Sequence, residues 1–174
     1  MKRLIFYFAI ALTVVSASTV TAAEPLTDAR IELIRQNCTE AQSTMQQVLR
    51  SDTASRVNRG RIYEETIKLL AALNSRAALN TYNVPELIST TASFESEFSA
   101  FKDSFIAYET AIKDTSRMKC KDQPVTFYDS LTNVRDLRNK LNDHTIKLNQ
   151  YLDAYSARLD KLDAQIKLRS GVTQ

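Results

Sequence analysis

PVTFYDSLTNVRDLRNKLNDHTIKLNQYLDAYSARLDKLDAQIKLR, the stretch from Pro124 to Arg169, decides the fold. Alternate steps of four and three residues from Phe127 reach Leu131, Val134, Arg138, Leu141, Thr145, Leu148, Leu152, Tyr155, Leu159, Leu162, Ile166 and Arg169, and ten of these thirteen positions are apolar. Such spacing lays side chains along one stripe of a helix and is the heptad signature of a coiled coil, whereas a strand would alternate by two. The 46 residues contain no glycine and no internal proline, so they predict a rod of about 69 Å at 1.5 Å per residue. A stripe of that length stays dry only if other helices lie beside it.

Upstream, the polar loop Lys119-Cys120-Lys121-Asp122-Gln123-Pro124 separates this rod from another. That third helix is expected to start at Asn83-Val84-Pro85-Glu86, where Pro suits a first turn and Glu faces the positive end of the dipole, and to run to about Met118. Its seam is Leu87, Thr91, Phe94, Phe98, Phe101, Phe105, Tyr108, Ile112 and Thr115, and its four phenylalanines form the thickest layer of the predicted core. A second helix is expected from about Thr53 to Tyr82, with a stripe of Ile62, Ile67, Leu69, Leu70, Leu73 and Ala77 and a kink or late start near Gly60. Ser51-Asp52-Thr53 favours caps over helix interiors and is expected to end a first, shorter helix opened by Thr27 or Asp28. The first helix carries the seam Ile31, Ile34, Cys38, Ala41, Met45 and Val48.

Two glycines and three prolines in 174 residues leave little material for sheets or tight turns. The fold class is therefore all-α: an elongated antiparallel bundle of three long helices, with the shorter N-terminal helix attached near the Cys120 loop and coiled-coil-like packing throughout. Short connections make successive helices antiparallel neighbours. Residues 24–169 form a single helical-bundle domain, and 170–174 should fray.

Residues 1–23 read as a secretory signal peptide. Lys2 and Arg3 make a positive start, Leu4 to Val15 is apolar or small, and Val20-Thr21-Ala22-Ala23 offers small residues for cleavage after Ala22 or Ala23. The alternative is an uncleaved N-terminal membrane anchor, since Leu4 to Ala23 carries no charge over a span-length segment. In either case the protein acts outside the cytoplasm. Loss of Lys2 and Arg3 leaves 21 basic against 20 acidic residues, so charge nominates neither nucleic acid nor membrane lipid as a partner. Cys38 and Cys120, an even pair in an oxidising compartment, are expected to form one disulfide. Cys38 on the buried stripe of its helix favours a staple over a reactive thiol.

Chemistry is sparse. The one histidine, His144, lies beside the seam in the polar run Asn142-Asp143-His144-Thr145 and reads as an exposed helix residue, with no nucleophile elbow in the chain. One His and two distant Cys cannot make a zinc set, and no calcium loop or glycine-rich phosphate loop is present. Glu64 with Glu65, and Glu95 with Glu97, read as solvated helix faces, because residues so spaced point apart. These readings give no catalytic residue, no metal and no cofactor. Arg56-Val57-Asn58-Arg59-Gly60-Arg61 is the most suggestive cluster: Arg56, Arg59 and Arg61 could clamp an anionic group, or could pair with acids on neighbouring helices. Arg138, on the seam of the last helix, is expected to set register through a polar pair. Tyr108 and Tyr155 fall on seams and read as core.

Arg56 to Tyr63, Leu73-Asn74-Ser75-Arg76, and Cys120 with Gln123-Pro124-Val125 and Phe127-Tyr128-Asp129 together resemble an uncharacterised family of short secreted helical proteins from bacteria with reduced genomes. The resemblance implies export and a helical fold, and no activity. Two functions are consistent with all of this. The first is a non-enzymatic exported bundle acting through protein or envelope contacts, self-association included. The second is an extracytoplasmic ligand-binding or sensing module that holds an anionic group through Arg56, Arg59 and Arg61.

Overall fold

A computed structural model describes residues 26–171, so the expected signal segment 1–23 and the last residues of the tail lie outside the described part. The chain forms four helices packed against one another: α1 (Asp28–Gln36), α2 (Cys38–Leu79), α3 (Pro85–Arg117) and α4 (Pro124–Ser170). No strand occurs among the described residues. Thr27 caps α1 by accepting from the Arg30 amide, while α3 and α4 each open on a proline whose missing N–H would have had no partner there. Gly171 closes α4 at φ 68°, a left-handed conformation that glycine adopts without steric cost. Ser170, expected in the frayed tail, is the last residue of that helix.

α3 is the central element. It packs against both α2 and α4 and buries twelve residues where α2 buries five. The seam expected for it is buried in full, from Leu87 through the four phenylalanines to Tyr108, Ile112 and Thr115. Tyr63 of α2 inserts its ring among Phe94, Phe98 and Phe101, with centroid separations of 5.9, 5.6 and 5.9 Å and edge-on geometry. That arrangement sets the positive ring edge against a negative ring face. Val134, Leu141 and Leu148 of α4 complete the same core. A smaller apolar cluster of Leu70, Val84, Leu87 and Tyr155 closes the opposite end.

Cross-helix pairs fix the register. As residue numbers rise along α2 from Asp52 to Asn74, those of their hydrogen-bond partners on α3 fall from Tyr108 to Thr91. Between α3 and α4, Glu86 meets Arg158 and Glu97 meets His144. Cys38 and Cys120 lie at disulfide distance, with Cα atoms 5.8 Å apart. Closing a loop of that length stabilises by roughly 4.5 kcal/mol in the chain-entropy account. Two hydrogen bonds reinforce the staple: Gln42 Nε2 donates to the Met118 carbonyl at 2.7 Å and Arg35 Nε to the Lys121 carbonyl at 3.3 Å.

Two expectations for the N-terminal half are corrected. The helix break lies at Asn37, whose side-chain amide donates to the Leu33 carbonyl at 2.8 Å and competes with the helix ladder. At Ser51-Asp52-Thr53, α2 continues, because Asp52 finds partners across the bundle instead of capping a new helix. Gly60 likewise sits inside α2, with nothing within 4 Å of where a Cβ would be. The stripe assigned to this helix also shifts. Tyr63, Leu70 and Asn74 are buried, whereas Ile62, Leu69 and Leu73 are 52%, 66% and 39% exposed.

Candidate functional site

Three polar networks join the helices, and they differ in access to solvent. In the first, α3 supplies Glu97 and Ser104 and α4 supplies His144. Glu97 and Ser104 are seven residues apart, two helical turns, so both face α4. His144 Nδ1 lies 2.5 Å from Glu97 Oε1, and its Nε2 lies 2.9 Å from Ser104 Oγ. The two ring nitrogens thus bridge the Glu97 carboxylate and the Ser104 hydroxyl. Lys147 Nζ stands 3.9 Å from the same carboxylate oxygen.

The histidine expected on an exposed face is therefore buried at 8% exposure, and Glu97, expected on a solvated face, is partly buried against its imidazole. Glu95, by contrast, is exposed as expected. The connectivity of Glu97, His144 and Ser104 is that of a hydrolase relay, but the surroundings do not suit one. Ser104 is buried in the middle of α3, where the backbone amides that an oxyanion would need are used by the helix itself. The network satisfies two buried polar groups, Ser104 and His144, and the partly buried Glu97, and it joins α3 to α4.

The second network joins three helices near the turn between α2 and α3. Asn74 donates to Thr91 Oγ1 at 2.8 Å and accepts from the Tyr155 hydroxyl at 3.0 Å. All three residues are buried. Burial pushes the Tyr155 phenol above its ordinary pKa.

The third network borders the surface. Asp52 of α2 accepts from Tyr108 of α3 at 2.6 Å and from Arg138 of α4 through two bonds, at 3.0 and 3.2 Å. Arg138 thus makes the polar pair expected of it, but at the surface, its side chain 56% exposed. Its pKa is raised, first by the hydrogen bond to Asp52. Tyr108 is fully buried, and its phenol is pushed well above its usual range by burial and then by the hydrogen bond to Asp52.

Beside this third network a cleft of about 350 Å³ opens between α2 and α4, with α3 as its floor. Two of the three arginines singled out in the sequence meet there. Arg56 pairs with Glu109 at 3.4 Å and lies over the Phe105 ring, 4.7 Å from its centroid. Among the described residues Arg59 reaches only the Thr145 hydroxyl, at 3.5 Å. Arg61 is not part of the cleft: it pairs with Glu65 one turn along its own helix, at 3.3 Å. Its place is taken by Arg138. Arg56 and Arg59 thus share the cleft, and helical phase excludes Arg61, five residues beyond Arg56 and so about 140° around the axis. Arg138 could be found by its odd position on an apolar seam, while Asp52 read locally as a cap, Glu97 as a solvated face, and Ser104 carried no local signal.

Among the described residues no group of three His, Cys, Asp or Glu side chains is placed to hold a metal ion, and no helix is long and apolar enough to cross a membrane. Comparison of the chain with protein-family models, curated proteins and solved structures finds no match.

Proposed function

We propose that this protein is a non-enzymatic, exported helical bundle that works by contact with a protein or an envelope component, including a second copy of itself. In this reading residues 1–23 are a signal peptide cleaved after Ala22 or Ala23, and residues 24–169 are an elongated antiparallel bundle with coiled-coil packing, akin to the short secreted family it resembles. The Cys38–Cys120 pair at disulfide distance fits an oxidising compartment.

One observation carries the reading. Ile62, Leu69 and Leu73 stand exposed on α2 at spacings of seven and four residues, a coiled-coil spacing that no helix among the described residues covers. The test is light scattering and chemical crosslinking of the exported protein, alone and with an envelope extract, beside a Leu69→Glu variant. Association by the wild type that the variant loses is the expected result. A wild-type protein that stays monomeric and crosslinks to nothing would end the reading.

A second reading is favoured by a specific observation. Arg56 and Arg59 converge on one cleft and are joined there by Arg138, which supports recognition of an anionic group. Arg61 drops out of the set for this purpose. A thermal shift screen with small anions tests it, and no stabilisation by any of them would remove it.

A further inference from the structure

The cleft between α2 and α4 carries more information than its charge. Its three guanidiniums are not equivalent. Arg138 is neutralised by Asp52 in a bidentate pair, and Arg56 is engaged by Glu109 and held against Phe105. Arg59 has no carboxylate within ion-pair distance among the described residues, and its contact with Thr145 is at the long limit of a hydrogen bond. The cleft therefore presents one unmatched positive charge, on a planar fork suited to a carboxylate.

Around it, Ser55 on the α2 wall and Asn139 and Asn142 on the α4 wall have no side-chain hydrogen-bond partner among the described residues. A hydroxyl and two amides offer donors and acceptors without charge, the complement of hydroxyl groups. The floor is apolar: Phe101, Phe105 and Leu141 close it from below. Its volume of about 350 Å³ is at the lower end of small-molecule sites, which run from roughly 300 to 1,000 Å³. That leaves space for a ligand of one or two rings.

We propose that this cleft binds a singly charged, hydroxyl-bearing carboxylate, of which a uronic acid is the simplest case, with its carboxylate on Arg59 and its hydroxyls on Ser55, Asn139 and Asn142. The proposal rests on the anion-binding reading above and specifies its ligand. A dianionic phosphate suits the site less well, because one free guanidinium balances one charge and the other two already have carboxylate partners. The acid arrives either as a free sugar acid or as a residue of an acidic polysaccharide, and the chemistry of recognition is the same for both.

The experiment is calorimetric titration of the disulfide-intact protein with glucuronate, with a short oligouronate, with glucose and with inorganic phosphate. Glucuronate or the oligouronate should bind, glucose should bind at least tenfold more weakly, and phosphate should be weaker than the uronate. Preference for the oligomer over the monomer would mark a polysaccharide as the source, and equal affinity a free acid. Arg59→Gln should weaken uronate binding by about 10- to 100-fold, the usual effect of losing a charge-assisted hydrogen bond. Asn142→Ala should weaken it several-fold, and Arg61→Gln, outside the cleft, should leave it unchanged. Arg59 is exposed, so its variant is expected to fold, and its melting temperature checks this. Phosphate binding tighter than uronate, through Arg59, would overturn the ligand class while keeping the anion site. Uronate binding that Arg59→Gln does not alter would overturn the site assignment, and no binding by any anion would remove the anion-binding reading as well.

Discussion

The Glu97–His144–Ser104 and Asp52–Tyr108–Arg138 networks use similar chemistry in opposite settings. Each joins a carboxylate, a cationic or basic side chain and a hydroxyl across a helix–helix contact, with two helices in the first and three in the second. The first is enclosed, and each of its groups already has a partner. In the second, Arg138 is more than half exposed, and the network borders a cleft where Arg59 keeps an unmatched charge. Burial is the difference, and it separates polar groups that hold helices in register from those that can meet a ligand. A relay connectivity alone is no sign of catalysis when it is sealed in a helical core.

The contrast can be broken most forcefully at His144. His144→Ala leaves the partly buried Glu97 and the buried Ser104 without their imidazole partner, and an unsatisfied buried polar group typically costs about 1 to 3 kcal/mol, more when it is charged. Urea unfolding followed by circular dichroism measures this, and a loss below about 1 kcal/mol would mean that water reaches the network. At the open site the corresponding change is milder. Asp52→Asn keeps an acceptor for Tyr108 and breaks only a solvent-exposed ion pair, so a cost of about 1 to 2 kcal/mol is expected in the same assay. If the two costs are equal, the distinction between the networks fails.

Alkaline titration sharpens the comparison from another side. Folding raises the Tyr108 and Tyr155 pKa values above the usual tyrosine value, so the unfolded chain releases these protons first. Their contribution to stability is full below about pH 10 and is lost as pH rises above it, at up to about 1.4 kcal/mol per pH unit for each phenol. Tyr108→Phe should remove about half of that slope, and an unchanged slope would show that Tyr108 ionises as freely as in the unfolded chain. The smallest effect belongs to Arg59. With one long hydrogen bond and no ion pair among the described residues, Arg59→Gln should change the unfolding free energy by no more than about 0.5 kcal/mol. A larger loss would make Arg59 a structural residue like His144.

What could be read from the sequence followed the range of each interaction. Side chains at Phe94, Phe98, Phe101 and Phe105 recur at helical spacing, and all four are buried as that spacing required. The same local rule failed at Ser51-Asp52-Thr53. Low helix propensity there is outweighed by bonds from Asp52 to residues 56 and 86 positions away. It failed again on α2, where Ile62, Leu69 and Leu73 are hydrophobic and periodic but face away from α3. Periodicity shows that a helix has an apolar stripe, but not which of two stripes its neighbour will cover.

The sequence by itself determined that this chain is helical, that its helices are long, and that Cys38 sits on a buried stripe, because periodicity, turn signals and the scarcity of glycine all act over a few residues. Only the tertiary structure decided that His144 is sealed between Glu97 and Ser104 and that Arg138, not Arg61, stands with Arg56 and Arg59. Those pairings span 40 to 86 positions, and they depend on the rotation of one helix against the next, which no local pattern encodes.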